Sequence, residues 1–197
     1  MTDLWPLLAF AFVSSITPGP NNLMLLASGA NFGVRRTVPH MLGISIGHSV
    51  MVVLVGLGLV GLFDAWPPAY SVLKWASCAY LLWLAWKIGS ADPAPPEGRP
   101  RARPMSFVAA ALFQWINPKA WYMALTAVSL YLPDRTLPGV LLVAGVFAAT
   151  NLPSITVWAV LGEQMRRILT SRNRMRAFNV TMALALVATL IPVLAGH

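Results

Sequence analysis

Two short runs carry the residues whose types and order promise chemistry. The first is Ile16-Thr17-Pro18-Gly19-Pro20-Asn21-Asn22, and the second is Gln114-Trp115-Ile116-Asn117-Pro118-Lys119. Each interrupts a long apolar stretch. An α-helix does not run through Pro-Gly-Pro, because two backbone donors are missing and each ring clashes with the preceding turn. Asn117 followed by Pro118 has the order of an N-cap and a first helical residue. Gly19 followed by Pro20 has the same order in a weaker form. Each break should therefore start a half-helix whose N–H groups face the interior and favour an anion such as a carboxylate. Lys119, one residue inside the second half-helix, adds a full positive charge. Asn21 and Asn22 offer amides to the other polar atoms of a zwitterion. Thr17, Pro18, Gly19, Asn21, Asn22, Asn117 and Lys119 are thus the candidate binding set.

Two more residues join as candidates. Asn151, just ahead of Pro153, is read as interrupting a further apolar run and completing a cavity. His48 sits in the middle of an uncharged run and is the candidate proton carrier. Plainer roles compete: proline kinks without a ligand, a snorkelling Lys119, a neutral His48 bonded to a neighbouring helix, and a capped kink at Asn151. The matched positions of the two breaks tip the balance towards a site.

Helices within a membrane must position these residues. Of the 197 residues, 57% are hydrophobic and only 10% are charged, against about 25% charged in soluble domains. Six apolar spans are expected: about 4–27, 38–63, 69–86, 106–132, 137–161 and 177–194. The net charge of +8 would suggest nucleic acid in a soluble domain. Here the charge lies in short loops between spans, so it is read as topogenic charge facing anionic lipid. The connections after the first, third and fifth spans hold Arg35, Arg36, Lys87, Arg99, Arg101, Arg103, Arg166, Arg167, Arg172, Arg174 and Arg176. The opposite loops hold only Arg135. The basic loops are therefore expected in the cytoplasm and both termini outside. The N-terminal segment has no basic n-region and is read as retained rather than cleaved.

The proline-rich, basic stretch 92–105 divides the chain into residues 1–91 and 106–197. Three spans in each half is an odd number, so a repeated unit would enter the membrane upside down the second time. The expected fold is all-α, with six transmembrane helices as two inverted three-helix repeats whose first and fourth helices are broken. In such plans the broken helices form the transport site at mid-membrane.

The rest of the sequence narrows the function class. Gly43 and Gly47 have the spacing of a close helix contact. His40 is expected at an interface near a helix end. Trp5, Trp66 and Trp86 fit an aromatic belt. Cys78 stands alone, so no intramolecular disulfide forms. No acidic residue is placed at mid-membrane, so proton coupling would fall to His48, Lys119 or the substrate. No nucleophile–base pair, phosphate loop or metal-ligand cluster is legible, so neither an enzyme nor a cofactor is expected.

At these residues the chain resembles the LysE/RhtB family of amino-acid exporters. The resemblance rests on Thr17-Pro18-Gly19-Pro20-Asn21, Asn117-Pro118-Lys119, the Gly43/Gly47 pair, the stretch from Asn151 to Trp158 and Met175-Arg176-Ala177-Phe178-Asn179. It implies ion-driven efflux of amino acids or small derivatives across a bacterial inner membrane; the expected coupling ion is the proton. The stretch after Asn151 is similar to members that export cysteine or O-acetylserine, which points to small neutral substrates. The same superfamily includes exporters of other solutes and metal ions. A homo-oligomer is compatible with the resemblance.

Overall fold

The computed structural model describes residues 4–59, 61, 65–92, 103–132 and 136–195, which are helical with short connections. Among them, α1 is Leu4–Ile16, α2 is Pro20–Phe32 and α3 is Val34–Leu54, which runs on as a π-turn over Val55–Leu59. Next come α4 at Pro68–Gly89, α5 at Phe107–Phe113 with a 3-10 turn at Gln114–Ile116, and α6 at Pro118–Tyr131. The chain continues as α7 at Leu137–Met165, α8 at Arg172–Ala188 and α9 at Ile191–Ala195. The proline linker and the loop around Arg135 lie largely outside the described residues.

Both anticipated breaks are present. Gly19 is extended (φ −174°, ψ 178°) between α1 and α2. Asn117 is likewise non-helical (φ −90°, ψ 109°) between the 3-10 turn and α6. The expected break at Asn151 is absent, because α7 is continuous with Pro153 inside it. One proline withdraws one donor, which a long helix absorbs; Pro18 and Pro20 together withdraw two within a single turn.

The first two spans also differ from expectation in their ends. A single residue, Gly33, makes the corner between α2 and α3, at φ +81°. Only glycine adopts that left-handed region at no steric cost. Arg35 and Arg36 therefore belong to the exposed first turn of α3 rather than to a loop.

The long helix α7 is the centre of the bundle, and α1, α2 and α3 all pack on it. α3 also packs on α5, and α4 packs on α8. Glycines set the two closest crossings. A side chain on Gly29 would meet the carbonyl of Ala159, and one on Gly162 would meet the carbonyl of Leu26. A side chain on Gly43 would meet Phe107 and Ala110, and one on Gly47 would lie 2.6 Å from the Cα of Ala111. The Gly43/Gly47 pair thus does what its spacing promised.

The basic connections gather at one end. Glu163 Oε1 at the end of α7 accepts from Val34 N at the start of α3 (3.3 Å). Arg172 at the start of α8 pairs with Asp92 just beyond α4 (2.8 Å). Along the sides the bundle exposes large apolar residues, among them Trp5, Trp75, Leu112 and Leu184. A soluble monomer does not leave this much apolar surface in water. Three helical stretches, Val34–Leu59, Leu137–Met165 and Arg172–Ala195, are long and apolar enough to cross a membrane, with Leu4–Ile16 and Phe107–Ile116 as shorter apolar helices. His40 was expected at an interface but is buried, at 2% exposure. The start of α5 packs on α3 one turn further on, where Gly43 faces Phe107 and Ala110.

Candidate functional site where the two breaks meet

A break in a buried helix strands carbonyl groups, and each needs a donor because lipid supplies none. Local bonds come first: Thr17 N donates to Val13 O (3.1 Å), and the Thr17 hydroxyl donates to Ser14 O (3.1 Å). Asn22, one turn into α2, reaches back with Nδ2 to Ser15 O (2.8 Å) and Thr17 O (2.7 Å). Trp158 of α7 donates its indole N–H to Ile16 O (2.9 Å). Lys119 supplies the rest from the other half of the chain. Its ammonium donates to Thr17 O (2.7 Å), Thr17 Oγ1 (2.9 Å) and Pro18 O (3.3 Å).

The second break is satisfied in the same manner. Trp121 Nε1 donates to Trp115 O (2.9 Å), and the Ser77 hydroxyl of α4 donates to Ile116 O (2.5 Å). Asn117 caps α6 as its type suggested, its Oδ1 accepting from Lys119 N (3.2 Å). The two breaks then share one direct bridge. Asn21 Nδ2 donates to Gln114 Oε1 (2.8 Å), and Gln114 Nε2 donates back to Asn21 Oδ1 (3.3 Å).

Between the breaks is a small hollow of about 20 Å³, room for roughly one water molecule. Gly19, Asn21, Asn22, His48, Asn117, Lys119 and Asn151 all line it. Seven of the nine anticipated residues are therefore brought together, from both halves of the chain. Thr17 and Pro18 lie outside it on an exposed rim, where they offer backbone oxygens to Lys119. Asn151 reaches the hollow from an unbroken helix, its Nδ2 facing Ser15 Oγ at 3.4 Å. His48 is 2% exposed and stacks edge-on against Phe147, with ring centroids 5.1 Å apart. Its Nε2 and Asn151 Oδ1 have no partner among the described residues.

Two expectations change. The start of α6 is not open to an anion, since Asn117 Oδ1 occupies the N–H of Lys119 and the carbonyl of Asn117 holds those of Ala120 and Trp121. Only the start of α2, with no side-chain cap at Gly19, keeps its positive end free of one. Lys119 is also bound to carbonyls rather than standing free. Sequence reasoning passed over Gln114 and Ser15 as wall residues. Gln114 stands three residues before Asn117 and is fully buried; a glutamine beside a break in an apolar span was the signal.

The LysE type translocator family model matches residues 12–196. The chain belongs to the LysE family. The curated relatives of this LysE chain include cysteine/O-acetylserine efflux proteins of Escherichia coli strains HS and K12 and of Shigella sonnei. Each is 32% identical over 180 residues, covering 90% of this chain and 90% of the relative. No solved structure matches it. As a LysE translocator it is a membrane transporter and not an enzyme.

Asn22 tests the carbonyl bookkeeping directly. Asn22→Asp replaces a double donor by an acceptor facing Ser15 O and Thr17 O. The variant should unfold at a clearly lower temperature in detergent, by about 2 kcal/mol or more for two stranded carbonyls. An unchanged melting curve would remove Asn22 as the clasp of the first break.

Proposed function

We propose that this protein exports small neutral amino acids and their O-acyl derivatives from the bacterial cytoplasm, using the junction of the two breaks as its transport site. The bond from Lys119 in one half of the chain to the Thr17 and Pro18 carbonyls in the other carries this reading. It makes the state of one half sensible to the other at a single polar point inside an apolar bundle. The relatives named as cysteine/O-acetylserine efflux proteins support the substrate class.

The helix pairings support a two-fold plan of inverted repeats, residues 1–91 and 106–197 joined by 92–105. Take the six spans as α1 with α2, α3, α4, α5 with α6, α7, and α8 with α9. Exchanging the first three for the last three turns the pairing of span one with five into that of four with two, and both occur. The pairings of two with five and three with six map onto themselves, and both occur. In a plan of this kind the halves rock about a central site. A hollow that holds one water is a closed state. Opening must part Lys119 from the Thr17 and Pro18 oxygens, and an incoming carboxylate can then replace those oxygens as its partner. The uncapped start of α2 lies beside it to receive the same negative charge.

His48 is the proton carrier in this scheme, because it lines the hollow and its Nε2 has no partner among the described residues. The basic end of the bundle faces the cytoplasm and both termini face the periplasm.

Proteoliposomes loaded with O-acetylserine, cysteine and a panel of other amino acids test this. Efflux of one or more small neutral members should occur, accelerated by an imposed pH gradient. His48→Leu should remove the acceleration while leaving exchange of labelled for unlabelled substrate. No movement of any amino acid would refute the export reading.

A further inference from the structure

A second, larger cavity of about 400 Å³ opens at the basic end, between α2, α3, α4 and the start of α5. Its volume is in the range of small-molecule sites. Its polar lining includes Ser28, Asn31, His40, Tyr80, Lys87 and Arg103, and among the described residues no acidic side chain lines it.

Most of its buried polar groups are already satisfied. The Ser28 and Thr37 hydroxyls bond each other (2.8 Å), and Asn31 pairs with Asn179 (2.8 Å). His40 is the exception. It is 2% exposed on the cavity wall, and neither ring nitrogen has a partner among the described residues. A neutral imidazole offers one donor and one acceptor. Leaving both idle in a buried position is unfavourable unless something polar comes to meet them. At the mouth, Lys87 lies over the Trp83 ring (4.5 Å), and Arg103 adds a second cation.

We propose that this cavity is an entry chamber that binds a small monocarboxylate, an α-amino acid with a short neutral side chain or its O-acyl form, before it reaches the breaks. The carboxylate lies towards Lys87 and Arg103. His40, on the inner wall, turns a ring nitrogen to a polar group further in, and the apolar body lies against Met24, Leu84 and Met105. The chamber is separated from the hollow at the breaks by a buried apolar partition. Phe113 is the centre of that partition; it stacks on Tyr80 of the chamber wall (5.5 Å), packs with Met24 and is the residue directly before Gln114. Two compartments with an apolar divider between them are what alternating access requires on its closed path. This inference rests on the export reading for its substrate class and for the side the chamber faces.

The test uses the full chain and O-acetylserine as probe, in direct binding to detergent-purified protein and in uptake by inside-out vesicles. The double variant Lys87→Gln/Arg103→Gln changes two exposed residues and leaves the core intact. It should weaken binding and raise the KM about tenfold, as loss of charge-assisted bonds implies, with the maximal rate within about twofold. His40→Leu should weaken binding in the same direction. Binding and KM unchanged in both variants would overturn the chamber while export stands. Binding that is weakened in the variants, in a protein that transports nothing, would keep the chamber and overturn export. If O-acetylserine does not bind at all, the chamber falls, and the export reading is then decided by the panel of amino acids.

Discussion

Lys119→Met should abolish uphill amino-acid efflux, reducing the rate by about 30-fold or more, while the protein still inserts and can be purified. The magnitude follows from the bonds removed. A hydrogen bond from a charged donor contributes about 1.5–3 kcal/mol, and each 1.4 kcal/mol is a factor of ten. Three oxygens of the first break depend on this ammonium. Thr17 O keeps a second donor in Asn22, and Pro18 lies on an exposed rim, so the fold should survive the loss. Transport should not, because among the described residues no other lysine or arginine lines the hollow. Gly19→Ala offers an independent check. A methyl group there would sit 2.6 Å from Lys119 Cδ and 3.1 Å from its Nζ, so it pushes the lysine off its carbonyls without removing the charge. It should slow efflux by a smaller factor than Lys119→Met. Wild-type efflux in both variants would dissociate the junction from transport.

The same two variants separate the site from a mere kink. Glycine at position 19 is not demanded by its backbone angles, which any residue adopts. It is demanded by the close approach of a side chain from the other half of the chain. That distinction was not legible in the sequence, where Pro-Gly-Pro reads equally well as a breaker. What the sequence did disclose was the pairing. Two prolyl interruptions at matched places, each beside amides, implied a shared polar region, because stranded carbonyls in an apolar bundle must find donors. The identity of those donors was hidden, since Trp158 and Ser77 come from spans that are near only after folding. The reading of Lys119 as a free charge failed for the same reason. A lysine one residue into a half-helix looks available until the opposite break presents its carbonyls. Asn151 was credited with breaking α7 on the strength of Pro153, yet its place in the hollow comes from the crossing of α7 with α1. His40 was judged by its distance from a charged helix end, whereas the packing around α3 buries it.

The crossing that holds this arrangement gives the largest expected effect on folding. Gly162→Val should leave little folded protein in the membrane, whereas Gly145→Ala on the same helix should be neutral or slightly stabilising. At Gly162 the backbone of α2 lies where a side chain would go, against the carbonyl of Leu26 and 2.9 Å from Ala30 N. Rotamer changes cannot relieve an overlap with backbone, so the helices must separate. Overpacking costs about 1–3 kcal/mol even where side chains can shift, and here the upper end is the starting point. Separation would also pull α7 from Gly29, whose own gap is filled by the Ala159 carbonyl. Trp158, adjacent to Ala159, would then lose Ile16 O, and the first break would lose a donor. At Gly145 nothing lies within 4 Å of the added methyl, and alanine is the better helix former by up to about 1 kcal/mol. Measuring the amount and melting temperature of each variant in mild detergent decides the matter. Equal yields from Gly162→Val and Gly145→Ala would mean that α2 and α7 do not touch through their backbones, and the first break would then have to be held in place by other contacts.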